Sequence, residues 1–155
     1  MMTNLTCDVI KLLKGKTLVT AESCTGGGIG AALTAVPGSS AVYKGGIISY
    51  TNWVKENILK VDREMLNTCG AVSAEVAKAM AEGARSALQA DIAVSVTGLA
   101  GPGGDEFGNP VGTVYIGYAD NFRTESIAFY FTGDRGEIRK QAIQTDLKVV
   151  LDFNS

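Results

Sequence analysis

Histidine is missing altogether from this 155-residue chain. Its absence excludes a Ser-His-Asp triad, a Cys-His dyad and every histidine-based metal site within one chain. Any nucleophile must therefore take its base from Lys, Asp, Glu, Tyr or a terminal amine. Cysteine is scarce: Cys7, Cys24 and Cys69 are odd in number and form no C-x-x-C pair. That argues against a disulfide scaffold or a zinc cage and for reduced thiols. Charge of one sign is nowhere concentrated, with a net charge of -2 and a pI near 5.1, so a broad nucleic-acid surface is not expected. Long apolar runs are absent too, and Asp8, Lys11 and Lys14 make the N-terminal stretch an amphipathic helix rather than a signal peptide. The expectation is one domain over residues 1–155, cytoplasmic, with neither nucleic acid nor membrane as a partner.

What is present is a real core: 46% of residues are hydrophobic and 19% charged. Leu5, Val9, Leu12 and Leu13 recur at helical spacing and predict a helix over roughly 3–14. Strands are expected at 17–21 (TLVTA), 46–50 (GIISY) and 92–97 (IAVSVT), and a hairpin over 113–118 and 124–131 turns at Asp120-Asn121. Further helices are expected at 27–36, at 52–59, for a short turn after Asp62, from an N-cap at Ser73 along the stripe Val76, Met80, Ala84 and Leu88, and from Asp134, where Glu137 completes a capping box, towards Asp152. Strands alternating with helices, closed by a hairpin, predict a three-layer α/β/α sandwich on a mixed, mostly parallel sheet of about five strands. The 19 glycines gather where strands end, which is where open α/β sheets bind ligands.

Four segments carry candidate chemistry. In Ala21-Glu22-Ser23-Cys24-Thr25-Gly26-Gly27 a strand feeds a glycine turn into a helix, so several free backbone N–H groups surround one point. Such a turn holds a phosphate or an oxyanion, and Ser23 stands where a nucleophile elbow would place one. Two formal motifs fail there. Gly26-x-Gly28-x-x-Ala31 lacks an acid about 20 residues on, and Gly15-Lys16-Thr17 has Ile10 where a P-loop needs glycine. Ser23 and Thr25 as mere helix caps remain the alternative. The second segment, Ser49 to Lys55, places Lys55 in the first turn of a helix opened by Asn52, where the helix dipole disfavours a cation. A working base near pKa ~7–8 needs a depression of roughly two to three units, which burial or a neighbouring cation must supply; the alternative is an ordinary solvated lysine. Thr97 to Gly104 is a second glycine-rich strand exit, with the Thr97 hydroxyl at its base and a purely structural loop as the alternative. Arg135 follows Phe131-Thr132-Gly133-Asp134 near a helix start, placed either to clamp an anion or to form a surface ion pair.

Together, AESCTGG at 21–27, SYTNWVK at 49–55, TGLAGPGG at 97–104, PVGTVYIG at 110–117 and FTGDR at 131–135 resemble the CinA C-terminal domain family, in order and over nearly the whole chain. That family includes nicotinamide-nucleotide amidohydrolases. The resemblance implies hydrolysis of the carboxamide of nicotinamide mononucleotide to nicotinic acid mononucleotide and ammonia. It matches Ser23 to a serine nucleophile, Lys55 to the lysine that activates it, and Tyr50 and Thr97 to residues lining the site. Thr97 is the third candidate for the reaction itself, assisting the backbone N–H groups after Ser23 at the oxyanion. Substrate contacts are expected from Tyr50, Thr25, Gly26, Gly27, Asn52, Gly98 and Arg135. The partner is a small-molecule nucleotide, with no cofactor and no metal, in a homo-oligomer, a dimer being favoured. A non-catalytic nucleotide-binding member of the same family is the runner-up, and a generic amidase for another carboxamide a third reading. One departure stands out: Asn109 occupies a place where the family commonly carries a lysine before the proline.

Overall fold

The computed structural model describes residues 2–155. Its elements run α1 (Met2–Leu12), β1 (Leu18–Glu22), α2 (Gly28–Thr34), β2 (Tyr43–Ile48), α3 (Asn52–Asn57), α4 (Arg63–Cys69), α5 (Ala74–Leu88), β3 (Ile92–Gly98), β4 (Thr113–Ala119), β5 (Thr124–Tyr130) and α6 (Arg135–Asn154). The strand order is β2-β1-β3-β4-β5. β1 pairs in parallel with both β2 and β3, while β4 runs antiparallel to β3 and to β5. The sheet is therefore mixed, with β4 alone opposing the other four.

Helices cover both faces. Ile29 and Leu33 of α2, Val9 and Ile10 of α1, and Ile138 and Leu147 of α6 share one core cluster. Leu66 of α4 and Val76, Met80, Ala81 and Ala84 of α5 form the other. Strand alternation feeds both: Ile92 and Val94 point to the first cluster and Ala93 to the second. α5 lies so close to the sheet that a Cβ on Gly117 would stand about 2.2 Å from the Ala77 carbonyl oxygen, and Ser95 Oγ donates to that same carbonyl at 2.6 Å. Only a glycine permits that approach.

The helix signals in the sequence have physical counterparts. Ser73 Oγ accepts from the Val76 N–H, and Asp134 and Glu137 form a reciprocal capping box on α6. Along the α5 stripe Val76, Met80 and Ala84 are buried, whereas Leu88 is only partly so. β2 differs from expectation: it begins at Tyr43 and ends at Ile48, leaving Ser49 and Tyr50 beyond the strand. As an edge strand carrying Gly45 and Gly46, it keeps the alternating burial of a half-exposed surface. Among the described residues, no helix is long and apolar enough to cross a membrane.

This topology brings three strand exits together. Glu22 is in register with Ile48 on one side and with Val96 on the other, so Ser23 and Ser49, each just past its strand, stand beside Thr97, the penultimate residue of β3. α2, which follows β1, and α4 and α5, which come between β2 and β3, sit on opposite faces, which opens a crevice at the ends of these parallel strands.

Candidate active site

The Ser23 N–H donates to the Val96 carbonyl at 3.0 Å, tying the residue after β1 to β3. Gly26 and Gly27, at φ +58° and +100°, then turn the chain sharply into α2. Glu22 stabilises this turn from behind. Its buried carboxylate accepts from Thr25 Oγ1 at 2.6 Å, the Ile29 N–H at 2.9 Å and the Gly30 N–H at 3.0 Å. A carboxylate at the start of α2 satisfies donors that the helix itself cannot.

Lys55 reaches the same point from α3. Thr51 caps that helix, Asn52 is its first residue, and the Lys55 side chain is only 2% exposed. Its Nζ lies 2.9 Å from Ser23 Oγ and 2.7 Å from the Ser49 carbonyl oxygen, with a longer contact of 3.5 Å to the Tyr50 carbonyl. Ser49 is itself fixed, since its N–H donates to the Glu22 carbonyl at 2.7 Å. Burial pulls the Lys55 ammonium down to about 8, against a smaller opposing pull from Cys24. The expected helix-dipole contribution is not the cause: α3 is only six residues long, and Lys55 sits in its last turn as well as near its first. Among the described residues no carboxylate pairs with Lys55, so removal from water outweighs the opposing pull from Cys24.

A neutral amine has two hydrogens and one lone pair. The Ser49 and Tyr50 carbonyls take the hydrogens, which leaves the lone pair facing Ser23 Oγ. The contact that Lys55 donates when charged is thus reversed when it is neutral, and the geometry suits proton removal from the serine.

Ser23 and Lys55 open onto a cavity of about 310 Å³, also lined by Tyr50, Asn52, Thr97 and Arg135. Gly98, Gly101 and Gly103 of the second glycine loop complete its wall. Arg135 bridges two sides, donating to the Gly101 carbonyl at 2.7 Å and to the Tyr50 hydroxyl at 3.2 Å. Thr97 lies at the base with its hydroxyl donating to the Ala71 carbonyl at 2.8 Å. Thr25, Gly26 and Gly27 do not line this cavity; they shape the turn, with Thr25 fully buried against Glu22. Asn109 is held in its own loop by Asp105 and the Val72 carbonyl.

Two residues of these segments, Glu22 and Arg139, have roles that the sequence does not assign. Glu22 was passed over as part of a motif, although an acid between a buried strand and a glycine turn signals a helix-start partner. Arg139 donates from Nε to the Cys24 carbonyl at 3.0 Å and from Nη2 to the Thr25 carbonyl at 3.1 Å. Its spacing of four from Arg135, which puts both on one face of α6, was the available clue. Cys24, beside the nucleophile, is buried, and desolvation pushes its thiol up to about 12, so it stays protonated.

The CinA C-terminal domain model matches residues 2–153. This chain belongs to that family. A CinA-like protein of Endomicrobium trichonymphae is 49% identical over 87% of the chain, and one of Parasynechococcus marenigrum 52% identical over 83%. These alignments cover 32% and 31% of the relatives, so the chain spans about a third of the length of the curated relatives it matches. Among solved structures, the CinA superfamily protein from Enterobacter cloacae superposes with a TM-score of 0.97 at 33% identity, covering 100% of this chain and 93% of that one. The competence/damage inducible protein CihA from Agrobacterium tumefaciens gives 0.95 at 39% identity, covering 99% and 96%.

Proposed function

We propose that this CinA C-terminal domain is an amidohydrolase that converts nicotinamide mononucleotide to nicotinic acid mononucleotide and ammonia. The observation that carries the reading is the 2.9 Å contact between Ser23 Oγ and an unpaired, buried Lys55 Nζ. A binding site gains nothing from burying a cation against a serine, whereas a nucleophile and its base require that arrangement.

Neutral Lys55 takes the Ser23 proton as Oγ attacks the carboxamide carbon. The resulting oxyanion is met by the backbone N–H that follows Ser23; Cys24 lines the cavity, and no acceptor among the described residues takes its N–H. Protonated Lys55 gives its proton to the departing nitrogen, which leaves as ammonia. Water, deprotonated by the now neutral Lys55, then cleaves the acyl-serine ester and releases the acid and free Ser23. Tyr50, Asn52, Gly98 and Arg135 are assigned to the substrate's flanks, with Arg135 nearest an anionic group.

The test is ammonia release from nicotinamide mononucleotide by wild type, Ser23→Ala and Lys55→Ala. Release by the wild type is expected to fall about 10³-fold or more in both variants. A folded wild type that binds the nucleotide yet releases no ammonia overturns the assignment in favour of a binding module.

A further inference from the structure

The catalytic cavity does not end at Asn52. That residue, Ala71, Val72 and Leu99 also line an adjoining chamber of about 520 Å³, so the two form one continuous cleft. Their chemistry differs. Lys55 and Arg135 line the first, whereas among the described residues no cation lines the second, which carries Asp105 and Glu106. The chamber also presents the Phe107 ring beside the apolar Leu66 and Leu99. The 105–109 loop holds this lining in place. Phe107 packs onto Gly70, at φ +82°, where a Cβ would stand 2.7 Å from Phe107 Cδ2. Asp105 Oδ1 accepts from the Phe107 N–H at 3.1 Å and the Asn109 N–H at 3.0 Å, and Oδ2 accepts from Asn109 Nδ2 at 2.8 Å. Asn109 Nδ2 also donates to the Val72 carbonyl at 3.2 Å, which fastens the loop to a segment shared by both cavities. Asp105 is thus occupied within its loop. The Glu106 carboxylate is exposed, and among the described residues no hydrogen bond or ion pair engages it.

We infer that this chamber is the subsite for the positively charged ring of the substrate, with Glu106 the charge that selects a pyridinium carboxamide over an uncharged one. This rests on the amidohydrolase reading given above. The ring is bonded directly to the carboxamide carbon. With that carbon at Ser23, the ring lies against the lining of the first cavity, four residues of which belong to the chamber as well. An aromatic face and a free carboxylate both favour a flat cation. Both disfavour a phosphate, which is left to Arg135 in the first cavity. A substrate that is cationic at its ring and anionic at its phosphate is thereby given one direction in the cleft. The ring keeps its charge from the bound state through the tetrahedral intermediate. Glu106 therefore stabilises both alike and acts on KM, not on kcat.

The experiment compares Glu106, Glu106→Gln and Glu106→Lys proteins, each in a Ser23→Ala background where no ligand turns over. Calorimetry gives Kd for nicotinamide mononucleotide and for its reduced form, which carries the same carboxamide and ribose phosphate on an uncharged ring. With Glu106 in place the oxidised form is expected to bind about three- to tenfold more tightly. Glu106→Gln is expected to weaken the oxidised form about two- to fivefold and to leave the reduced form unchanged. Glu106→Lys brings the ratio to about one or below, and thermal melts report that each variant is folded. In turnover with Ser23 present, Glu106→Gln raises KM for ammonia release by a similar factor, with kcat within about twofold. No preference for the oxidised form, or a preference that is the same in all three proteins, overturns the inference. Equal weakening of both forms in Glu106→Gln also overturns it, since Glu106 would then act on the ribose phosphate. If neither form binds, the nucleotide reading fails and the subsite with it. Binding with this discrimination, but no ammonia release by the wild type, unseats the reaction alone.

Discussion

Two ionisable groups are buried on either side of the Ser23 turn, and they differ in everything except burial. On one side Lys55 touches the serine and opens onto a cavity. On the other, Asp146 of α6 is completely buried, and among the described residues neither carboxyl oxygen has a hydrogen-bond partner. Desolvation lowers the Lys55 pKa to about 8, whereas desolvation and the nearby Glu22 carboxylate hold Asp146 well above the usual carboxylate range. Both groups are thus driven towards neutrality. Only the one with an outlet to substrate gains chemistry from it; the other is a neutral filler behind the turn.

The comparison is broken most severely at Lys55. Lys55→Met is expected to abolish ammonia release, by about 10³-fold or more, yet to leave a more stable protein. A pKa depressed from 10.5 to about 8 corresponds to roughly 3 kcal/mol spent on burying the amine at neutral pH. Methionine removes that cost while filling similar volume, so a gain of about 1–3 kcal/mol in urea unfolding is expected. A Lys55→Met protein less stable than wild type would mean that the amine is not strained by its burial.

The pH–rate profile sharpens the same side. The base must be neutral, so kcat/KM is expected to rise about tenfold per pH unit below about 8 and to level off above it. Initial rates of ammonia release between pH 6 and about 9.5 measure this. A profile flat across that range would assign the base elsewhere.

Much of the site is legible in the sequence because it rests on local signals. Two glycine-rich strand exits, a serine in one of them, a lysine beyond a third strand end and no histidine anywhere make Ser23 and Lys55 candidates, and the resemblance to the CinA C-terminal domain family is what pairs them as nucleophile and base. Ser73 and Asp134 were legible for the same reason, since a cap is decided within four residues. For the Lys55 shift the sequence allows burial or a neighbouring cation; the structure shows burial, and no helix position encodes the choice because it depends on the segments packed around the side chain. Glu22, Arg139 and Asp146 were missed together. Glu22 and Arg139 hold groups as far as 115 residues away and Asp146 has no hydrogen-bond partner among the described residues, so the local clues at Glu22 and Arg139 do not show what each one holds. β2 was placed late because Lys44, Gly45 and Gly46 are poor strand formers that enter the sheet through tertiary pairing to β1.

Stability against pH separates the two sides by sign. The folded Asp146 carboxyl keeps its proton while the unfolded one loses it above about pH 4, so native binding of that proton makes stability fall as pH rises from there towards the folded pKa. Lys55 acts oppositely. Its penalty is full below about 8 and is relieved between about 8 and 10.5, where the unfolded state binds the extra proton. Asp146→Asn is expected to flatten the acid-side slope between pH 5 and about 7.5 in urea midpoints, at little cost to activity. Glu22→Gln is the matched control on the neighbouring carboxylate: it sets an amide NH₂ against backbone N–H groups and is expected to lose about 2–3 kcal/mol. Equal behaviour of the two variants would erase the distinction between filler and turn support.

The smallest expected effect is at Thr97. The hydroxyl sits at the base of the cavity, where the sequence suggested a contribution to the oxyanion, but its hydrogen is directed to the Ala71 carbonyl at 2.8 Å. A hydroxyl has one hydrogen, so a Thr97 that donates to Ala71 has none to offer an oxyanion. Its role in this geometry is to hold the 71–72 segment against the end of β3. Thr97→Val keeps the shape and β-branching and leaves one carbonyl unpaired, for about 1 kcal/mol of stability and a fall in kcat of no more than about threefold. A loss of 10²-fold or more at unchanged stability would show that the hydroxyl turns from Ala71 to the reacting carbonyl during turnover, and would make Thr97 a direct oxyanion donor beside the turn that Arg139 holds.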